Sequence, residues 1–180
     1  MARAQQRAVA GRERVLTLGL SRCGISDVEF GGVPCDILKG DLASALFRRL
    51  SNLLAPAVMA MLCGLSRASL HDALAHTATR QQGGGSLQGW GEVRRILSLM
   101  QERLSVMQGT LQAAMTGALP GNGAEFALLH LGTQACELAV DGVQLMGGEG
   151  FQSHSPQAMR MKDARQLQSH FACTRGDRKS

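Results

Sequence analysis

From Asp41 onward, apolar residues recur at alternating steps of three and four, the spacing that gathers them on one side of an α-helix. In the first such segment the stripe is Leu46, Leu50, Leu53, Ala57, Met61, Gly64 and Ala68. Asp41 is suited to cap its start, and Pro56 is expected to kink it. The glycine run in Gln81–Ser86 should end it. A second helix is predicted from Val93, Leu97, Met100, Leu104, Met107, Leu111 and Met115. Thr116–Gly123, with Gly117, Pro120 and Gly121, reads as a loop. Asn122 and Glu125 resemble a capping box for a third helix, whose stripe is Leu128, Leu131, Ala135, Leu138, Gly142 and Leu145. Gly147-Gly148 should close it, and Ser155-Pro156 should open a shorter fourth helix. Val58, Leu62, Ile96, Leu99 and Phe126 fall off these stripes. They either widen the buried faces or form a second face against another subunit.

The first forty residues differ in kind. In Ser26–Val33, Val28 and Phe30 alternate with Asp27 and Glu29, the period of a strand. Gly31-Gly32 fits a bulge or turn, and Pro34 keeps Val33 extended. Isolated strands cannot bury their own apolar face, so this segment reads as the edge of a larger sheet. The predicted architecture is mainly α, an antiparallel four-helix bundle preceded by a short β segment, with the shallow crossings of three-and-four packing.

Composition narrows the function classes. Hydrophobic residues make up 44% of the 180 and charged residues 18%, a globular balance rather than a disordered one. Net charge is +5, but the arginines are dispersed and aromatics are scarce, which argues against nucleic-acid binding. The five cysteines are odd in number and lack C-x-x-C spacing, which argues against a disulfide framework or a structural zinc. No membrane role is expected: the longest apolar candidate, Leu53–Leu65, is short of about 20 residues and contains Pro56. Arg3, Arg7, Arg12 and Arg14 faintly resemble an organellar leader, though an arbitrary chain start explains them as well.

Three ordered segments resemble the acyl-CoA dehydrogenase family. Asp27–Phe30 through Val33-Pro34 to Leu38–Gly40 is similar to the family's last strand of the middle β-domain and the turn after it. Gly64–Leu70 running to Arg80–Gly84 is similar to its first C-terminal helix and R-x-x-F-G ending. Asp141–Phe151 resembles D-x-x-Q-x-x-G-G-x-G-[FY], and Met161–Arg165 the following R-D-A-[RK]. The resemblance implies a remnant of the middle β-domain at 1–40, the C-terminal helical bundle at 41–170 and a fraying tail at 171–180. It also implies FAD as cofactor, held partly between subunits. Arg80 would reach the flavin diphosphate with its planar fork. Gln144 would bond the polar part of the nucleotide, and Gly147 and Gly148 would admit it close to the backbone. Read without the resemblance, the glycine pair is a helix cap and Arg80 a partner for terminal carbonyls.

The same comparison exposes departures. The family's reaction, α,β-desaturation of an acyl-CoA thioester, needs a carboxylate base. Of its two family positions, one falls on Phe171, eight residues after Asp163, and the other on Leu54, 26 before Arg80. Neither takes a proton, so no catalytic residue is assigned. The family's Phe is Gly83 and its later Gln is Gly91. His170 is a weak substitute for the base, His71 and His76 are poorly spaced for a metal, and Glu149 is expected to be exposed. No metal site is expected. The resemblance thus implies a truncated or degenerate chain that contributes FAD-binding and oligomerisation surface and is inactive alone. It would pair with itself as a dimer or tetramer, or with a full-length relative, and meet acyl-CoA only in a complete assembly. Its compartment would be the cytoplasm in a bacterium or the mitochondrion in a eukaryote. Two other readings are a non-catalytic helical interaction module and part of a flavin-dependent oxygenase of the same fold.

Overall fold

The computed structural model describes residues 9–30 and 40–173. Four helices dominate: α1 Gly40–Thr79, α2 Gly91–Met115, α3 Gly123–Leu145 and α4 Pro156–Cys173. Strands β1 Val9–Arg14 and β2 Ser26–Phe30 precede them as an antiparallel pair. The alternation at Val28 and Phe30 marks β2 correctly, whereas β1 lies in the arginine-rich opening and carries no such alternation. The turn expected at Gly31–Pro34 and the tail from Thr174 lie outside the described residues.

The helices run up, down, up, down. One core cluster joins Ala55, Met59 and Leu62 of α1 to Met107 of α2, Leu131 and Ala135 of α3, and Ala164 and Leu167 of α4. A second joins Leu70 and Ala73 to Leu97, Met100 and Leu104, and to Leu138 and Leu145. The heaviest packing is α1 on α3, two helices running the same way, with α4 against α3 next. All six stripe positions expected in α3 are buried, as are Leu97, Met100, Leu104 and Met107 of α2. Met115 is exposed.

The expected stripe of α1 is on the wrong side. Leu46, Leu50, Leu53 and Met61 are exposed, while Ala55, Val58, Met59, Leu62, Ser66, Ser69, Leu70, Ala73 and Thr77 face inward. Apolar residues occupy both sides of this helix, so periodicity cannot choose between them. Small Ser69 marks the close approach to Gly142 of α3 and Gln157 of α4, and Ser66 and Thr77 are buried as well, a signal that hydrophobicity misses. By length and composition alone α1 could reach across a bilayer, contrary to the expectation from Leu53–Leu65. Its inner face, however, belongs to the bundle core.

Helix ends follow the expected chemistry only in part. Gly40 already belongs to α1, which places Asp41 in the first turn rather than at the cap, and the helix runs through Pro56. Asn122 precedes α3 without a capping side-chain bond. Gly147, at φ +58, follows α3 in the left-handed conformation that favours glycine. Gln81–Ser86 folds as a hairpin, β3 Gln81–Gln82 with β4 Gly85–Ser86, turned by Gly83 and Gly84 at φ +65 and +90. Two consecutive positive φ angles suit a two-residue hairpin and explain the paired glycines.

The β segment is pinned to the bundle at one point. The Leu20 amide donates to Asp163 Oδ1 at 2.6 Å, and Gly19 packs so tightly on the Lys162 carbonyl that a side chain there has no room. Arg160 donates to Asp72 at 2.6 Å and ties α4 to α1. Deeper in, Ser69 Oγ donates to Gln157 Oε1 at 2.5 Å while Gln157 Nε2 donates to the Ser69 carbonyl at 2.8 Å. Gly142 provides the space for this buried exchange.

Candidate functional site

The C-terminal end of α1, the hairpin after it, the start of α2 and the turn after α3 enclose an open groove of about 650 Å³. That volume falls within the roughly 300–1,000 Å³ of small-ligand clefts. Arg80 lies in this groove together with Gln144, Gly147 and Gly148, so residues 64 apart in sequence share one wall-and-floor arrangement. The up-and-down topology causes this: α1 and α3 run in parallel, so their C-terminal ends meet at the same end of the bundle.

Local structure sets each group. Arg80 is the first residue after α1, and its amide bonds the His76 carbonyl at 2.8 Å while its own carbonyl accepts from Leu87 at 2.9 Å. The backbone is held from both sides, and the guanidinium makes no ion pair or side-chain hydrogen bond among the described residues. Gln144 is in the last turn of α3 and is exposed. Gly147 and Gly148 have open space where a Cβ would stand, and so admit a ligand close to the main chain. Gly150 plays another part: it is buried against the Val143 carbonyl and holds the turn to α3.

Charge in the groove is mixed. Glu92 lines it too, but its carboxylate is gripped by Arg95 through bonds of 2.9 and 2.6 Å. Those bonds hold Glu92 below the usual carboxylate range. Glu149 also lines the groove and is exposed, as expected. An unpaired guanidinium beside bare glycine backbone fits a phosphate group, which takes the planar fork of an arginine. His76, four residues before Arg80 and therefore on the same side of α1, lines the groove as well. Its spacing is poor for a metal pair with His71, but helical spacing places it beside Arg80.

Other motif positions serve the fold. Asp141 turns away from the groove and, with Glu137, accepts from Arg103 of α2, at 2.5 and 3.2 Å. Leu54 is 49% exposed on the outer side of α1. Phe171 lies in the last turn of α4. A second cavity, about 560 Å³, opens between α2, α3 and α4 beside Leu18 and holds Cys136. Burial pushes the Cys136 thiol up despite nearby Arg165.

Residues 49–169 match the family model described as the C-terminal domain of acyl-CoA dehydrogenase. This chain therefore belongs to the acyl-CoA dehydrogenase family through its C-terminal helical domain. No curated protein matches it by sequence. Among solved structures, it resembles butyryl-CoA dehydrogenase from Megasphaera elsdenii with a TM-score of 0.79 at 17% identity, over 92% of this chain and 45% of that one. It resembles acyl-CoA dehydrogenase from Geobacillus kaustophilus with a TM-score of 0.79 at 12% identity, over 95% and 50%. The FAD complex of PigA gives 0.75 at 17% identity, over 93% and 48%. The chain thus spans about half the length of these structures, and at such identities the likeness concerns the fold.

Proposed function

We propose that this chain holds the diphosphate part of FAD in a flavoprotein of the acyl-CoA dehydrogenase type, acting with further copies of itself or with a full-length relative. The observation that carries this reading is the convergence of unpaired Arg80 with Gln144, Gly147 and Gly148 on one groove. One solved relative by fold, PigA, is an FAD complex. Bound flavin would supply a hydride acceptor for oxidation of an acyl-CoA thioester in the complete assembly. This chain's own work is binding. Arg80 neutralises phosphate charge, Gln144 offers both donor and acceptor to the polar nucleotide, and the glycine turn presents bare backbone. Glu149 limits the net attraction, so orientation by the arginine fork matters more than bulk charge.

Proton abstraction is not assigned to this chain, because apolar Leu54 and Phe171 stand at the two family base positions. Leu46, Phe47, Leu50, Leu53 and Leu54 form an exposed apolar stretch along the outer side of α1. That stretch supports self-association, since contiguous apolar patches of this kind mark contact surfaces. FAD binding followed by calorimetry tests the proposal. Arg80→Met should weaken FAD roughly ten- to a hundredfold, the value of a charge-assisted bond. Equal affinity in wild type and Arg80→Met would refute it.

A further inference from the structure

The first turns of α1 stand clear of the bundle. None of the described side chains from Asp41 to Leu54 is buried, and the core begins at Ala55. At a rise of about 1.5 Å per residue, roughly 20 Å of helix lies beyond the core packing of the described residues. A helix this short is held in water chiefly by burying an apolar face, and here that face has no cover. Leu46, Phe47, Leu50, Leu53, Leu54 and Met61 are each between 44% and 71% exposed. Helical spacing gathers them on one side of α1, facing away from Met59 and Leu62 of the core. The same side continues through Ala57, Ala60 and Gly64, all exposed. Glycine in a helix interior costs about 1 kcal/mol relative to alanine, yet a Cβ on Gly64 would have open space around it. Nothing inside the bundle uses its missing side chain, which suits the close approach of a helix from outside.

We propose that this side of α1 is covered by the same side of α1 from a second copy, the two helices antiparallel about a two-fold axis between Leu53 and Leu54. Area supports a second copy: the exposed apolar side chains offer roughly 700 Å² per copy, close to the roughly 800 Å² per partner of a standard interface. Side-chain size sets the direction. The large residues fill the first half of the stripe and the small ones the second. An antiparallel pair therefore sets Phe47 level with Ala60 of the other copy, Leu50 with Ala57, and Ala43 with Gly64. A parallel pair would crowd large against large and leave the small end open. Charge selects the same direction. Arg49 flanks the stripe, and no carboxylate lies between Leu42 and His71 to offset it. A parallel pair in register would set Arg49 beside its own copy. The antiparallel pair parts the two by about 13 Å along the axis, beyond the roughly 8 Å screening length at physiological salt. This surface gives the self-association in the functional reading its contact, and rests on that part of the reading and not on flavin.

Sedimentation of the full chain without flavin tests the contact, and a dimer at micromolar concentration is the expected result. Leu50→Glu should raise the dimer dissociation constant at least about tenfold, because it sets a charge in an apolar contact. Leu50 lies outside both core clusters, so circular dichroism should show the bundle unchanged. On mild oxidation Leu53→Cys, beside the axis, should form a disulfide-linked dimer beyond the wild-type background. Gly64→Cys should not, because antiparallel pairing parts its two copies by about 30 Å. Arg80→Met should leave the mass unchanged, so the flavin reading and this one fail separately. A monomer at every concentration overturns the proposal, even if the chain then binds a full-length relative through this face. A dimer indifferent to Leu50→Glu, or one that cross-links through Gly64→Cys as readily as through Leu53→Cys, overturns it as well.

Discussion

Gly142→Ala sets two known effects against each other with opposite signs. In a helix interior, replacing glycine by alanine ordinarily stabilises by about 1 kcal/mol. Here the new methyl would meet Ser69 Oγ at 2.6 Å and the Gln157 amide atoms at 3.0 and 3.1 Å. Three helices converge at this point, and none can yield without disturbing the others. Overpacking a core costs about 1–3 kcal/mol. Parting Ser69 from Gln157, both fully buried, adds about 1–3 kcal/mol for each polar group left without a partner. With one polar group left unpaired, subtracting the helix gain leaves a net loss of about 1–5 kcal/mol. With a urea slope of about 1–3 kcal/mol per molar, the midpoint should fall by about 1 M. Gly109→Ala is the control: on exposed α2 surface with open space around it, it should gain up to about 1 kcal/mol. Urea unfolding followed by far-UV circular dichroism reads both. A Gly142→Ala midpoint at or above wild type would refute the packing argument.

Other outcomes follow from the same coordinates. Ser66 is fully buried and its hydroxyl lacks a partner among the described residues, so Ser66→Ala should leave Tm unchanged or raise it. For Asp72, partial burial pushes the carboxyl up, but hydrogen bonds and charge from Arg160 and then His71 outweigh it and hold the group below its ordinary value. The stability this gives is present above the unfolded carboxylate value of about 3.9 and is lost as pH falls through the folded one. Asp72→Asn should therefore cost up to about 1 kcal/mol at pH 7, and the difference should shrink in pH-dependent urea titrations as acid protonates the carboxyl. Burial raises Cys63, keeping its thiol protonated at neutral pH, while Cys23 is exposed. Among the described cysteines, timed alkylation with mass spectrometry should label Cys23 first and Cys63 last.

How far the sequence could be read depends on where one signal dominated. In α3 a single apolar side made the stripe legible, and Gly142 fell within it because the packing there needs a missing side chain. In α1 both sides are apolar, so the periodicity that selects Leu50 and Leu53 does not single out the side on which Met59 and Leu62 form the core. Serine and threonine at Ser66, Ser69 and Thr77 carried the decisive information, but hydrophobic periodicity gives them no weight. The site was legible as a set of motif positions, and the parallel course of α1 and α3 explains why Arg80 meets Gln144 and Gly147. The Arg103 pairs with Glu137 and Asp141 span two helices and leave no local pattern. Strand β1 escaped because its residues do not alternate and its pairing with β2 is visible only in space.

Amide NMR on the 15N-labelled chain during ADP titration tests the central claim most directly, because it maps contacts without requiring turnover. Saturable shifts concentrated at Arg80, Gln144, Gly147 and Gly148, and abolished by Arg80→Met, are the expected result. Shifts confined to the cavity around Cys136 and Val140, or no shifts at millimolar ADP, would contradict the account.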